Sequence, residues 1–252
     1  MCEYPGKQVN LKPGETLDDL ARKGMKVIQA RAGYRFSMDS VLLAHFAAVN
    51  PDDEVLDLGC GSGVISFLLV GRQPSCRITG LEIQPELADR ARRGAERNGV
   101  ADRIEIVNGD LRQAEVFLEK RRFNLIVANP PFWRQGEGKP SQDQERFIAR
   151  HEVNVGLKDY VEAAWRWLVP GGHLAMIHRA DRILELGALC VDNSLTVNRV
   201  RFIHPYLDRN ANLVLVEAVK GSKAGLTVLP PLVVYNSDGA YTEEILKIYS
   251  AE

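Results

Sequence analysis

Three groups of residues in this chain have the types and spacing to do chemistry. The first is a glycine run, Val55-Leu56-Asp57-Leu58-Gly59-Cys60-Gly61-Ser62-Gly63-Val64. Glycines at 59, 61 and 63 let the backbone turn sharply and let a ligand come close. A dinucleotide-binding loop has the spacing G-x-G-x-x-G and seats a pyrophosphate on a helix N-terminus. Here the spacing is G-x-G-x-G, with Asp57 just ahead of it. A carboxylate repels a pyrophosphate and pairs with an ammonium group, so the loop points to a zwitterion that carries a nucleoside. The second group is Asp57, Glu82 and Asp110, at the ends of three successive expected strands. That edge is where open α/β sheets bind ligands. Glu82 is placed to accept hydrogen bonds from both hydroxyls of a ribose, and Asp110 to meet an adenine edge. Either one alone reads as an ordinary surface carboxylate. The third group is Asn129-Pro130-Pro131-Phe132, directly after the fourth strand. Two prolines stiffen the backbone and remove two N–H donors. The groups left are acceptors, the Asn129 side-chain oxygen and the Pro130 carbonyl, which together can take both hydrogens of a planar amine.

These residues need a scaffold that brings strand ends together, and the periodicity supplies one. Short apolar runs at Glu54–Leu58, 77–83, 104–107, Phe123–Ala128 and 173–177 read as strands. They alternate with helical patterns at 64–70, 85–98, 111–120, 157–168 and 180–190. Gly99 closes one helix, and Pro170-Gly171-Gly172 stops another. Alternation of this kind predicts an α/β fold, a doubly wound and mostly parallel sheet. The tail changes rhythm. Residues 196–203, 212–218 and 232–235 read as strands with no long helix between the first two, so one runs antiparallel at the end of the sheet. The first fifty residues have a polar lead, a strand at Lys26–Ala30, and a helix carrying Val41, Leu42, Leu43, Phe46 and Ala47 that ends by Pro51. Residues 1–50 are therefore expected to form an N-terminal extension packed on a core domain spanning 51–252.

Composition sets the outer bounds. The chain has 252 residues, 45% hydrophobic and 26% charged, with 32 Lys and Arg against 33 Asp and Glu. That apolar fraction can fill a core and excludes a mainly disordered chain. A net charge of −1 excludes a protein that binds nucleic acid by bulk charge, and leaves room for a local basic face. Four cysteines without a C-x-x-C pair fit neither a zinc site nor a disulfide framework, so no metal is expected. No apolar run approaches a membrane span or a signal peptide. A reduced, cytoplasmic protein without a membrane partner is the expectation, with the oligomeric state left open.

The run at 55–63 resembles the first motif of class I S-adenosylmethionine-dependent methyltransferases. The resemblance implies a Rossmann-like, seven-stranded sheet whose last strand is antiparallel, and S-adenosyl-L-methionine as cofactor. It assigns cofactor contacts to Phe36, Asp57, Gly59, Gly61, Gly63, Glu82, Ile83, Asp110 and Asn129, with Arg35 beside Phe36 at the methionine end. It assigns the chemistry to Asn129, Pro130, Pro131 and Phe132. The acceptor pair would hold an amine pyramidal, freeing its lone pair to attack a sulfonium methyl, while Phe132 stacks the substrate base.

The tetrapeptide resembles that of adenine-N6 DNA methyltransferases, release-factor glutamine methyltransferases and RNA base methyltransferases. The first group carries a target-recognition domain and the second a longer helical N-terminal domain, and neither has room here. Gly33-Tyr34-Arg35-Phe36-Ser37-Met38-Asp39-Ser40-Val41-Leu42-Leu43, Asn129-Pro130-Pro131-Phe132-Trp133 and Ala149-Arg150-His151-Glu152 are similar to the bacterial tRNA adenine-N6-methyltransferase family, which modifies adenine 37 of a valine tRNA. The resemblance implies an RNA substrate, with tRNA the first candidate. The alternatives are the same chemistry on protein glutamine, guanine in rRNA or a small molecule, and a non-catalytic scaffold. His151 reads as a structural hydrogen-bonder. Arg134, Lys139, Arg146, Arg150, Arg179, Arg182, Arg199, Arg201 and Arg209 follow the active edge. Interleaved acids make them a solvated face in the simplest reading and a phosphate-contacting face in the functional one.

Overall fold

The computed structural model describes residues 8–20, 24–32, 35–118, 120–132 and 155–250. Trp133, Arg134, Lys139, Arg146, Arg150 and His151, all singled out above, lie outside the described residues, as do Gly33 and Tyr34.

A central sheet with helices on both faces organises the chain. In sequence order the elements are β1 (Glu15–Asp19), β2 (Lys26–Ala30), α1 (Met38–Phe46), β3 (Glu54–Leu58), α2 (Val64–Arg72), β4 (Arg77–Glu82), α3 (Pro85–Arg97) and β5 (Ile104–Asn108). A 3-10 turn, Leu111–Gln113, leads into α4 (Ala114–Leu118), followed by β6 (Phe123–Ala128), α5 (Leu157–Trp167) and β7 (Leu168–Arg179). A second 3-10 turn, Ala180–Arg182, precedes α6 (Ile183–Asp192), β8 (Leu195–His204), β9 (Leu213–Lys220), β10 (Thr227–Val228), β11 (Leu232–Val233) and α7 (Glu243–Ser250). The seven long strands run β5-β4-β3-β6-β7-β9-β8, and only β9 is antiparallel to its neighbours. This is the mostly parallel, doubly wound sheet that the alternation predicts. Two-residue strands β10 and β11 pair alongside β8 and bring the sheet to nine.

The strands are apolar on both sides, as a sheet covered on both faces requires. Leu125 and Val127 point to one core with Val55, Ile78 and Ile177. Ile126 and Ala128 point to the other with Leu56, Leu81 and Met176. α2 is buried from Val64 to Gly71, so it needs cover on every side. The first fifty residues supply part of it, because α1 packs against α2 and buries Val41, Leu42 and Leu43. The β1–β2 hairpin docks on α3 through a forked Arg93–Glu15 pair (2.8 and 2.6 Å). Lys26 and Asn98 exchange two further hydrogen bonds of 2.8 Å each.

Four differences from the sequence reading have local causes. β1 lies in what reads as a polar lead, because a hairpin with one solvated face has too few apolar residues to show a period. β7 starts five residues before 173 and passes through Pro170-Gly171-Gly172, where Gly171 takes φ +77° and the pairing with β6 shifts register. The segment 111–120 splits into a 3-10 turn and a short helix because Asp110 accepts from the Arg112 N–H and caps it (2.9 Å). α7 follows a tyrosine- and glycine-containing tail with only Ile245 and Ile248 buried, too weak a stripe to read.

One contact ties the glycine loop to α3. Phe67 is fully buried, and a Cβ at either Gly63 or Gly94 would sit 2.8 or 2.7 Å from its Cζ. Alanine in a helix interior normally gains about 1 kcal/mol over glycine. At Gly94 the crowding against Phe67 reverses the sign, with a cost of about 1–3 kcal/mol. Gly94→Ala is expected to lower the urea midpoint; a higher midpoint would show that Phe67 yields freely.

Candidate active site

The C-terminal ends of β3, β4 and β6 open on a cleft of about 1020 Å³, counting its open mouth. The glycine loop forms its floor. Gly59, Gly61 and Gly63 take φ of +72°, +56° and +87°, left-handed values that side chains resist. The Gly59 and Cys60 N–H groups donate to the Leu81 carbonyl (2.8 and 3.1 Å), tying the loop to the neighbouring strand. Glu82 ends that strand, buried at 5% exposure. One of its oxygens accepts from the Gly61 N–H (2.9 Å) and the other from the Gln84 N–H (2.8 Å). Asn108 on β5 donates to the carbonyls of Glu82 and Ile83 (2.8 and 3.1 Å) and fixes the turn that follows.

Phe36, Gly59, Gly61, Glu82, Ile83, Asn129 and Pro131 all line this cleft, so six of the nine expected cofactor residues share one space with two of the four expected catalytic ones. The others do not line it. Asp57 is fully buried beneath the floor, its Oδ2 accepting from Ser66 (2.7 Å) and its Oδ1 without a partner among the described residues. Burial lifts its carboxyl to about 7 against the Ser66 hydrogen bond, with Glu82 adding to the rise. Gly63 faces Phe67 instead of the cleft. Asp110 turns to Arg112, whose hydrogen bonds hold its carboxyl below the usual range against partial burial, although its neighbours Gly109 and Leu111 line the cleft. Pro130 is buried and Phe132 half-buried. The Phe132 ring lies 5.4 Å from His178 at a 58° tilt. His178, on β7, stays neutral because burial and then Arg182 push it down to about 4. Arg35 pairs with Asp18 (2.6 Å) and does not line the cleft.

Two lining residues, Ser40 and Tyr160, and one supporting residue, Gln29, have no site role in the sequence reading. Ser40, buried on α1, accepts from the Asn129 side-chain nitrogen (3.3 Å), which leaves Oδ1 as the acceptor on the other side of the amide. Gln29 holds Phe36 by accepting its N–H (2.7 Å). Tyr160 on α5 stands over the floor, its hydroxyl 3.0 Å from where a Gly59 Cβ would be. Ser40 lies within the quoted stretch 33–43 and was legible as a motif position. Tyr160 carries no signal beyond its helical spacing.

Residues 37–185 match the family model of the methyltransferase small domain. The chain belongs to this family. It is an S-adenosylmethionine-dependent methyltransferase with a class I, Rossmann-like fold. It is 30% identical to the tRNA1(Val) (adenine(37)-N6)-methyltransferase of Porphyromonas gingivalis over 92% of this chain and 93% of that one. The Aeromonas hydrophila protein of the same name is 26% identical, over 90% and 94%. Among solved structures, a predicted O-methyltransferase from Agrobacterium tumefaciens superposes with a TM-score of 0.68 at 27% identity, covering 84% of this chain and 95% of that one. A precorrin-6y C5,15-methyltransferase from Geobacter metallireducens shares the fold at a TM-score of 0.52 and 15% identity, over 78% and 93%.

The methyltransferase's cleft fits the cofactor of its family. A Cβ at Gly61 would meet nothing within 4 Å, so the floor is open to a close ligand. The orphaned Asp57 Oδ1 lies under the same floor as uncompensated negative character, suited to a cation above. Glu82 presents its carboxylate in the lining, and Ile83, 39% exposed, an apolar rim.

The state of Asp57 is measurable. Its carboxyl moves from an ordinary 3.8 to about 7 in the fold. Between those values the folded chain keeps a proton that the unfolded chain releases, so this group's contribution to stability falls as pH rises and is lowest above about 7. Asp57→Asn keeps an acceptor for Ser66 and removes the penalty. Its stability relative to the native chain is expected to rise between about pH 4 and about pH 7 in urea unfolding and to level off above that. A flat difference would mean that Asp57 is already ionised in the fold.

Proposed function

We propose that this methyltransferase transfers a methyl group to N6 of an adenine in tRNA. The observation that carries the reading is the meeting of Asn129 and Pro131 with Glu82 and Gly61 in one cleft. The names of the relatives that align over about nine-tenths of the chain support tRNA as the substrate and adenine as the base. A tRNA substrate also supports the cytoplasm as the place of action. Among the described residues, no helix is long and apolar enough to cross a membrane.

Bound S-adenosylmethionine supplies an electrophilic sulfonium methyl. The chain's part is to hold both partners. Gly59, Gly61, Glu82, Ile83 and Phe36 hold the cofactor, with Asp57 and Asp110 acting from behind and beside the lining. Asn129 Oδ1 and the Pro130 carbonyl accept the two hydrogens of the adenine amine. Such bonds favour a pyramidal nitrogen and are strongest as positive charge builds on it, so they act on the transition state. Pro131 keeps the turn rigid, and Phe132 stacks the base. The nitrogen sheds its proton after it gains the methyl, so no strong base is needed beside it. The base must be unstacked from the RNA to reach the cleft. As part of the same reading, residues 1–50 serve as an extension on the 51–252 core; α1 supports this by covering α2 and lending Ser40 to Asn129.

Purified enzyme incubated with labelled cofactor and tRNA should yield N6-methyladenosine on nucleoside analysis, and label appearing in protein instead would overturn the reading. Asn129→Ala is expected to lower kcat about 10²–10³-fold. Ser40→Ala should lower it about tenfold through loss of amide orientation, with Ser40→Thr restoring it. Glu82→Ala should weaken cofactor binding. If Asn129→Ala turned over normally, the acceptor pair would not be the catalytic group.

A further inference from the structure

A second surface on the same edge of the sheet has no role in the chemistry above. β8 runs parallel to β3 and β6, so its end at His204 opens on the edge that carries Gly59 and Asn129. The turn that follows, residues 205–212, displays Tyr206 at 36% and Leu207 at 79% exposure. The turn is braced from within: the Arg209 N–H donates to the Tyr206 carbonyl (3.1 Å), and the Arg209 carbonyl lies 2.7 Å from His204 Nδ1. Arg209 is exposed and makes no ion pair among the described residues, whereas Arg199 and Arg201 are held by Glu217 and Glu244 (2.6 Å each). The braced turn thus holds out an aromatic ring, a leucine and an exposed guanidinium.

Tyr206 is also the outer end of a row. Its ring lies 5.5 Å from Tyr235; Tyr235 stacks on Tyr241 at 5.3 Å, and Tyr241 on Tyr249 at 6.0 Å, both pairs within 15° of parallel. The inner end, Tyr249, lies against α1. α7, which carries Tyr249, packs on α1. The Tyr249 hydroxyl is pushed up to about 12, chiefly by burial, with Tyr241 and then Asp39 adding to it. Asp39 adjoins Ser40 in the first turn of α1, and Ser40 lines the cleft. Of the four rings, Tyr206 at the outer end and Tyr241 within the row (38%) are exposed.

We propose that the β8–β9 turn, backed by this row, forms the docking surface for the unpaired RNA nucleotides that flank the target adenine, with a base stacking on Tyr206 and a phosphate meeting Arg209. The inference rests on the RNA reading above. Single-stranded RNA offers flat base faces without a preferred sequence, which matches aromatic rings better than a protein side chain does. Asp208 shares the turn, so stacking and not net charge is the main source of affinity.

The test uses the full enzyme with its tRNA substrate. Tyr206→Ala should raise KM for tRNA about tenfold. Its kcat at saturating tRNA should stay within roughly twofold, with cofactor affinity and melting temperature unchanged. Tyr206→Phe should behave as the native enzyme. Arg209→Ala should reduce the slope of log affinity against log salt by about one. A native KM in Tyr206→Ala overturns this surface and leaves the tRNA reading standing. A KM change accompanied by a lower melting temperature and weaker cofactor binding assigns the row to packing and also overturns it. If the native enzyme binds no tRNA at any salt, the tRNA reading itself falls and takes this surface with it.

Discussion

The site hangs on one buried carboxylate. Glu82 accepts from the Gly61 N–H with one oxygen and from the Gln84 N–H with the other. It therefore links the turn after β3 to the turn after β4. Backbone donors left buried without partners cost about as much as a lost hydrogen bond, so the loop has a strong reason to keep this shape. The left-handed φ at Gly59, Gly61 and Gly63 is tolerable because the same loop is also held from below, by the Leu81 carbonyl. A charge that serves the fold in this way is positioned before any ligand arrives, which is the condition for cheap binding.

Gln29 and Ser40, from the described part of the first fifty residues, also hold this arrangement. Buried Gln29 on β2 fixes the backbone of Phe36, and Ser40 fixes the amide of Asn129. An asparagine amide has two chemically different ends, and which end faces the cleft decides whether it offers an acceptor or a donor there. A hydroxyl from α1 makes that choice for a residue some ninety positions later in the chain. The packing of α1 over α2 thus has a consequence at the strand end of β6, because a shift of the helix would release the amide.

Much of the fold was legible because buried parallel strands leave unbroken apolar runs. Glu54–Leu58 and Phe123–Ala128 have the bounds read from the sequence, and the antiparallel β9 follows from the missing helix before it. Elements with one wet face were not: β1 and α7 bury too few side chains to stand out, and β7 runs through a Pro-Gly-Gly that reads as a stop. At the site, residues on the backbone path were legible, since Gly59, Gly61 and Glu82 must lie where the strands end. Contacts made by side chains arriving from other elements were not: Ser40 was legible only as a motif position and Tyr160 not at all, because their contact with the cleft depends on how α1 and α5 dock. His178 met Phe132 for the same reason.

The three strand-end carboxylates read alike in the sequence and differ in the fold, and strand geometry explains why. Side chains alternate faces along a strand, and only a residue at the very end escapes burial against one face or the other. Asp57 is one position inside the end of β3, so it is pinned under the loop, where Ser66 donates to it. Glu82 is the last residue of β4 and lines the cleft. Asp110 stands two residues beyond β5, where the chain has already turned, and its carboxylate is drawn to the start of the 3-10 turn. One residue of offset along a strand therefore separates a carboxyl lifted to about 7 under the loop from one that stays beside the ligand space.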